Sequence, residues 1–133
     1  MIEGSQQEQL LTQFSAAVTR AHATVQRIPA SGEAVARAVF RRIAKTSSVV
    51  MAIPRLLPTE IFTPLIESEA IIKNPTDQQL RDAQIGITEA FAGVARTGSV
   101  CVSENSNLSG VVSSFAGEHI CLLEANYIVR RPR

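Results

Sequence analysis

The chain predicts an α/β fold: a mostly parallel sheet with helices on both faces plus one β-hairpin. Three observations carry that expectation. Ser48–Ile53 is a continuous apolar run without alternation, as expected of a strand covered on both faces. Short runs of this kind alternate along the chain with segments whose apolar residues recur every three or four positions. Finally, Phe91–Ala95 and Val100–Val102 flank Arg96-Thr97-Gly98, two strands joined by a three-residue turn with glycine in the left-handed position.

The elements follow in order. Leu10, Leu11, Phe14, Ala17, Val18 and Ala21 form one helical stripe, so residues 1–22 read as an N-terminal helix. Thr24–Ile28 alternates β-branched residues before Pro29 and reads as a short strand. Ser31 is a good N-cap with Glu33 in the first turn, opening a helix whose Val35, Ala38, Val39 and Ile43 face inward and which ends near Lys45. After the Ser48–Ile53 strand, Pro58 and Thr59 open a short helix to about Ile66, irregular around Pro64. Ala70–Ile72 reads as a brief strand, and Asn74-Pro75-Thr76-Asp77 starts a two-turn helix carrying Leu80 and Ala83. Beyond the hairpin, Leu108, Val111, Val112 and Phe115 share a helical face ended by Gly117, and Ile120–Leu123 is the last buried strand.

With 133 residues, no repeat and no internal linker, residues 1–133 read as a single domain with a basic tail at 130–133. Thirteen Lys and Arg against twelve Asp and Glu leave a net charge of +1, which argues against a nucleic-acid or anionic-membrane binder. No basic start followed by an apolar stretch opens the chain, and no apolar run is long enough to cross a bilayer. A cytoplasmic protein is the expectation. In a reducing compartment Cys101 and Cys121 read as small core residues, and two cysteines without CxxC or a nearby His make no zinc or iron–sulfur site alone.

Chemistry-bearing residues crowd one neighbourhood. Gly86, Thr88, Thr97, Gly98, Ser99, Ser103 and Asn105 put small side chains and hydroxyls at expected strand ends, where an open α/β sheet collects its ligands. Exposed backbone N–H groups and hydroxyls at such ends can cradle a carboxylate or phosphate. GxGxxG and GxxxxGK[ST] are absent, as are GxSxG and HExxH, so no nucleotide, serine-hydrolase or zincin motif is present. Glu89 and Glu104 each follow a strand beside the hydroxyls and are the candidate acid, base or nucleophile. His119 opens the last strand and joins the ligand-binding candidates.

The chain resembles the LUD-domain family, whose best-known members are lactate-utilization proteins of the C type. The resemblance is most specific at Gly86-Ile87-Thr88, at Val94-Ala95-Arg96-Thr97-Gly98-Ser99-Val100, and at His119-Ile120, in the family's order and spacing. It implies the fold of the sugar-phosphate isomerase and CoA-transferase superfamily. It also implies a part in oxidising lactate to pyruvate, with iron–sulfur partner proteins carrying the electrons and this chain as the small subunit without redox centres. Three departures mark a divergent member. Asn107-Leu108-Ser109 lacks the usual basic residue, Ala116-Gly117-Glu118 replaces a proline pair, and the sequence ends soon after the last strand.

Other readings stand beside it. Ser103-Glu104-Asn105 is similar to the stretch around the catalytic glutamate of CoA transferases, which would make Glu104 a nucleophile or base on a CoA ester or sugar phosphate. The shortage of catalytic groups fits a non-enzymatic assembly or regulatory subunit. The expected partners are a small carboxylate or organic ligand and, across an exposed sheet edge, a second copy of the chain.

Overall fold

The structure is a computed structural model that describes residues 2–46, 48–102, 112 and 117–130. The helices are α1 (Ile2–Arg20), α2 (Gly32–Ile43), α3 (Thr59–Ile66) and α4 (Asp77–Asp82). The strands are β1 (Val49–Met51), β2 (Ile85–Glu89), β3 (Ala92–Val94), β4 (Ser99–Cys101), β5 (Glu118–Leu122) and β6 (Ile128–Val129). Together they make a mixed α/β fold with one parallel sheet and a separate mixed sheet, and the chain divides into two compact units.

One unit comprises Ile28–Glu89 and Val102–Leu122. Its sheet has the order β1-β2-β5 with both pairings parallel. The apolar run predicted for β1 is covered on both faces, and the pleat shows how. Val49 and Met51 join a core with Val35, Val39 and Ile43 of α2 and Phe62 and Leu65 of α3. Val50 and Ala52 point the other way, into a second core with Leu80 of α4, Ala83 and Val112. Burying such side chains contributes about 1.5–3 kcal/mol each to stability. Local signals set the helix starts. Ser31 Oγ accepts the N–H of Ala34 at 3.1 Å, and Thr76 with Gln79 closes a capping box. Pro64 is accommodated inside α3, while Ala70–Ile72 shrinks to one bridge between Val50 and Ile72.

The other unit comprises Met1–Arg27, Ala90–Cys101 and Leu123–Arg133. Here β3 pairs antiparallel with β4 and parallel with β6, and Phe14 and Val18 of α1 pack with Ala95 and Ile128. The hairpin is present, with its turn widened to Ala95–Gly98 and the Gly98 N–H bonded to the Val94 carbonyl at 2.8 Å. Gly98 has φ +73°, as its place in the turn requires. The hairpin does not extend the parallel sheet; it forms its own sheet with β6, an element after Leu123 that the sequence pattern did not show. Ile128-Val129 is too short to produce a recognisable period.

Thr24–Ile28 is not a strand. The N–H of His22 bonds the Thr19 carbonyl at 3.0 Å and that of Ala23 the Val18 carbonyl at 3.1 Å, while His22 takes φ 65°. This left-handed cap ends α1 and launches irregular chain. Val25 and Ile28 then pack on different cores, so the alternation reports two burials rather than one pleated face. The helix expected over Leu108–Phe115 lies outside the described residues except for Val112. Among the described residues no helix is long and apolar enough to cross a membrane.

Candidate functional site

Register and pleat together gather one set of residues on one face of the β1-β2-β5 sheet. On β2, Ile85 and Ile87 enter the core shared with α2 and α3, so Gly86 and Thr88 point to the opposite face. On β5, Ile120 and Leu122 pack against that same core, which turns His119 and Cys121 away from it. The parallel register sets Gly86 beside His119 and Thr88 beside Cys121. Four positions spaced two apart on two strands therefore make a single patch.

Within it the contacts are specific. The Thr88 hydroxyl, 1% exposed, lies 2.5 Å from His119 Nε2. Its register partner on β5 is Cys121. Burial lowers the His119 pKa below the ordinary histidine value, so the imidazole is neutral at pH 7. Burial pushes the Cys121 thiol up to about 11; the Thr88 hydrogen bond opposes that rise and the Glu89 charge adds to it. The thiol is thus protonated and a poor nucleophile. The patch is a neutral hydrogen-bonding surface whose groups donate and accept without carrying charge.

Glu89 occupies the carboxyl end of β2, 3% exposed. Its Oε1 accepts the N–H groups of Leu56 at 2.7 Å and Leu57 at 3.0 Å, and its Oε2 accepts those of Arg55 and, at 3.1 Å, Leu56. Three successive amides of the chain after β1 thus converge on one carboxylate, a concave anion nest filled from within. A general base here would first have to surrender those bonds. The geometry gives Glu89 the work of anchoring residues 55–57.

The turn residues stand in the other unit. Thr97 Oγ1 bonds Ser99 Oγ at 2.8 Å and accepts the Ser99 N–H at 3.3 Å, so these hydroxyls are engaged with each other. A Cβ on Gly98 would lie 2.7 Å from the Val18 nitrogen and 2.8 Å from the Ala17 carbonyl carbon. Its missing side chain lets the turn press against the backbone of α1. Ser103, Glu104 and Asn105 lie outside the described residues. The structure therefore brings together Gly86, Thr88 and His119 of the expected set, with Glu89 adjacent in sequence. It adds Cys121, which sequence reasoning placed in the core. The available signal was the matching spacing of Gly86/Thr88 and His119/Cys121. Among the described residues no group of three or more His, Cys, Asp or Glu could hold a metal ion.

Comparison with known proteins bears on this arrangement. A family model described as the LUD domain matches residues 11–132. The crystal structure of a DUF162-family protein from Deinococcus radiodurans aligns with a TM-score of 0.74 and 16% identity, covering 93% of this chain and 74% of that one. At that identity the likeness speaks for the fold. No curated protein matches the chain.

Proposed function

The chain belongs to the LUD-domain family, and on that premise we propose that it serves lactate utilization by binding a small carboxylate, lactate or pyruvate, at Thr88 and His119. In this reading it is the subunit without cluster-ligating cysteines, and iron–sulfur partner proteins take up the two electrons released as lactate becomes pyruvate. The observation that supports it best is the Thr88–His119 hydrogen bond on the parallel sheet beside Gly86. A buried hydroxyl and a neutral imidazole, at a strand position where glycine removes bulk, suit a ligand rich in oxygen acceptors. With neutral donors only, dissociation constants on the order of a millimolar are expected.

Titration calorimetry with lactate and with pyruvate tests the binding. Heat should be seen with at least one of them and fall at least tenfold in affinity in His119→Ala. Absence of binding by the wild-type chain to both would end the reading. In cells, loss of the gene should abolish growth on lactate while leaving growth on a sugar intact.

A further inference from the structure

The unit made of Met1–Arg27, Ala90–Cys101 and Leu123–Arg133 sorts its charges by position. β3 and β6 run parallel, so both enter their sheet at one end and leave it at the other. Gln7 Nε2 donates to the Ala125 carbonyl at 2.6 Å, which sets the first half of α1 beside the entry of β6. The second half of α1 lies beside the turn after β3, where a Cβ on Gly98 would be 2.7 Å from the Val18 nitrogen. The acidic residues of this unit, Glu3, Glu8 and Glu124, all belong to the entry end, where Glu8 holds Arg27 in an ion pair at 3.1 Å. Arg20, Arg96 and Arg130 belong to the exit end. The N–H of Arg96 donates to the Arg130 carbonyl at 3.1 Å, so these two stand side by side. All three arginines are exposed, and none has an ion-pair partner among the described residues.

We propose that this arginine end docks a carboxylate-rich face of a partner protein. Arg20 stands in the last turn of α1 and offsets the partial negative charge of its carbonyl end. Arg96 and Arg130 meet no such charge within the unit; side by side they repel, and an anion from outside relieves that repulsion. Their planar guanidinium groups match carboxylates in a two-bond fork. The surroundings select the class of anion. Single-stranded nucleic acid is held by aromatic rings among the cations, and a membrane surface by apolar side chains that enter it. Here the exposed large apolar residues, Phe91 and Tyr127, precede β3 and β6 and so stand at the entry end. The exit end offers charge and hydrogen bonds without stacking or insertion, which suits acidic side chains on a folded partner. The proposal rests on the charges of this unit alone and is independent of the ligand read at Thr88 and His119.

Amide NMR of the full chain, titrated with a polyglutamate peptide as the acidic probe, tests it. Resonances of Arg20, Arg96 and Arg130 should move while those of Phe91 and Tyr127 stay. The movement should vanish at about 1 M salt, where the Debye length is about 3 Å. Arg96→Gln/Arg130→Gln should bind the peptide about tenfold more weakly. Arg41→Gln/Lys45→Gln makes the same change in net charge at exposed residues of the other unit and should bind as wild type does. Absence of peptide binding by the wild-type chain, shifts centred away from the three arginines, or equal weakening in both double variants overturns the proposal. The wild-type shifts decide it even where a variant fails to fold. Tighter binding, at equal salt, to oligothymidylate or to phosphatidylserine-containing vesicles than to polyglutamate gives the face to nucleic acid or to membrane and overturns the protein partner.

Discussion

Two stretches of this chain look alike as sequence and differ as structure. Gly86-Ile87-Thr88 and Thr97-Gly98-Ser99 both set a glycine among hydroxyls beside apolar strands, and both promise a ligand close to the main chain. On β2 Thr88 turns its hydroxyl to the His119 imidazole of β5. In the hairpin the glycine is needed by the fold itself: it takes φ +73° and lets the turn lie against the α1 backbone, while Thr97 and Ser99 bond each other. Glycine with hydroxyls is thus two signals in one, close approach to a guest or close approach to another element. Only the register of the neighbours separates them.

The largest expected effect breaks the comparison if it fails. Gly98→Val places a β-branched residue in the left-handed region and a Cβ within 2.8 Å of two backbone atoms of α1. Strain and overpacking should together cost about 4 kcal/mol, seen as a shift of the denaturant midpoint. A stable Gly98→Val protein with weakened carboxylate binding would mean that this glycine serves a ligand after all.

Glu89 comes next, on the other side of the comparison. Glu89→Ala removes the acceptor of the Arg55, Leu56 and Leu57 amides in a buried place and should cost about 3 kcal/mol, with Glu89→Gln losing roughly half of that. Hydrogen exchange locates the loss: protection should vanish at residues 55–57 and persist along β2. If Glu89→Gln keeps full stability but lactate turnover by the assembled system stops, the carboxylate acts in chemistry rather than as an anchor.

How much of this could be read beforehand follows the range of the forces involved. Helix starts were legible because a cap is a contact between residues three apart, as at Ser31 and Thr76. β1 was legible because burial on both faces suppresses alternation. Thr24–Ile28 misled because alternation says that side chains are buried, not that they are buried together. β6 was hidden by its length, and its partnership with β3 joins residues about 35 apart, which no local pattern records. The site divided along the same line. Thr88 and His119 drew attention as residue types, but their pairing, and the recruitment of Cys121, exist only through the β2–β5 register. Glu89 looked catalytic for the reason that makes it an anchor: it stands where the carboxyl ends of strands meet backbone amides.

The pH dependence of stability sharpens the β2–β5 side further. His119 has a lowered pKa in the fold, with burial as the cause, against about 6.5 in the unfolded chain. Between the two values the unfolded chain binds a proton that the native chain does not. Stability is therefore full above about 6.5, falls as the pH drops from there towards the folded value, and levels off below it. His119→Gln should remove that portion of the slope below about pH 6.5. An equal slope in wild type and His119→Gln would mean that the imidazole is as free in the fold as in the coil.

The smallest effect bears on the hairpin. Thr97→Ala removes one exposed hydroxyl, which gives its proton to Ser99 Oγ and accepts the Ser99 N–H. Water can replace both partners, so the loss should be about 0.5 kcal/mol, and φ at Gly98 should be unaffected. The informative readout is the ligand. If Thr97 and Ser99 serve only the turn, calorimetry should give the same lactate and pyruvate affinities for Thr97→Ala and Ser99→Ala as for wild type, while Thr88→Val loses at least tenfold. If instead either turn variant weakens binding as much as Thr88→Val, the two glycine-and-hydroxyl stretches contribute alike, and the distinction drawn between them by register is wrong. A hydroxyl that costs so little to the fold yields a clean answer, because any large change in affinity cannot be ascribed to unfolding.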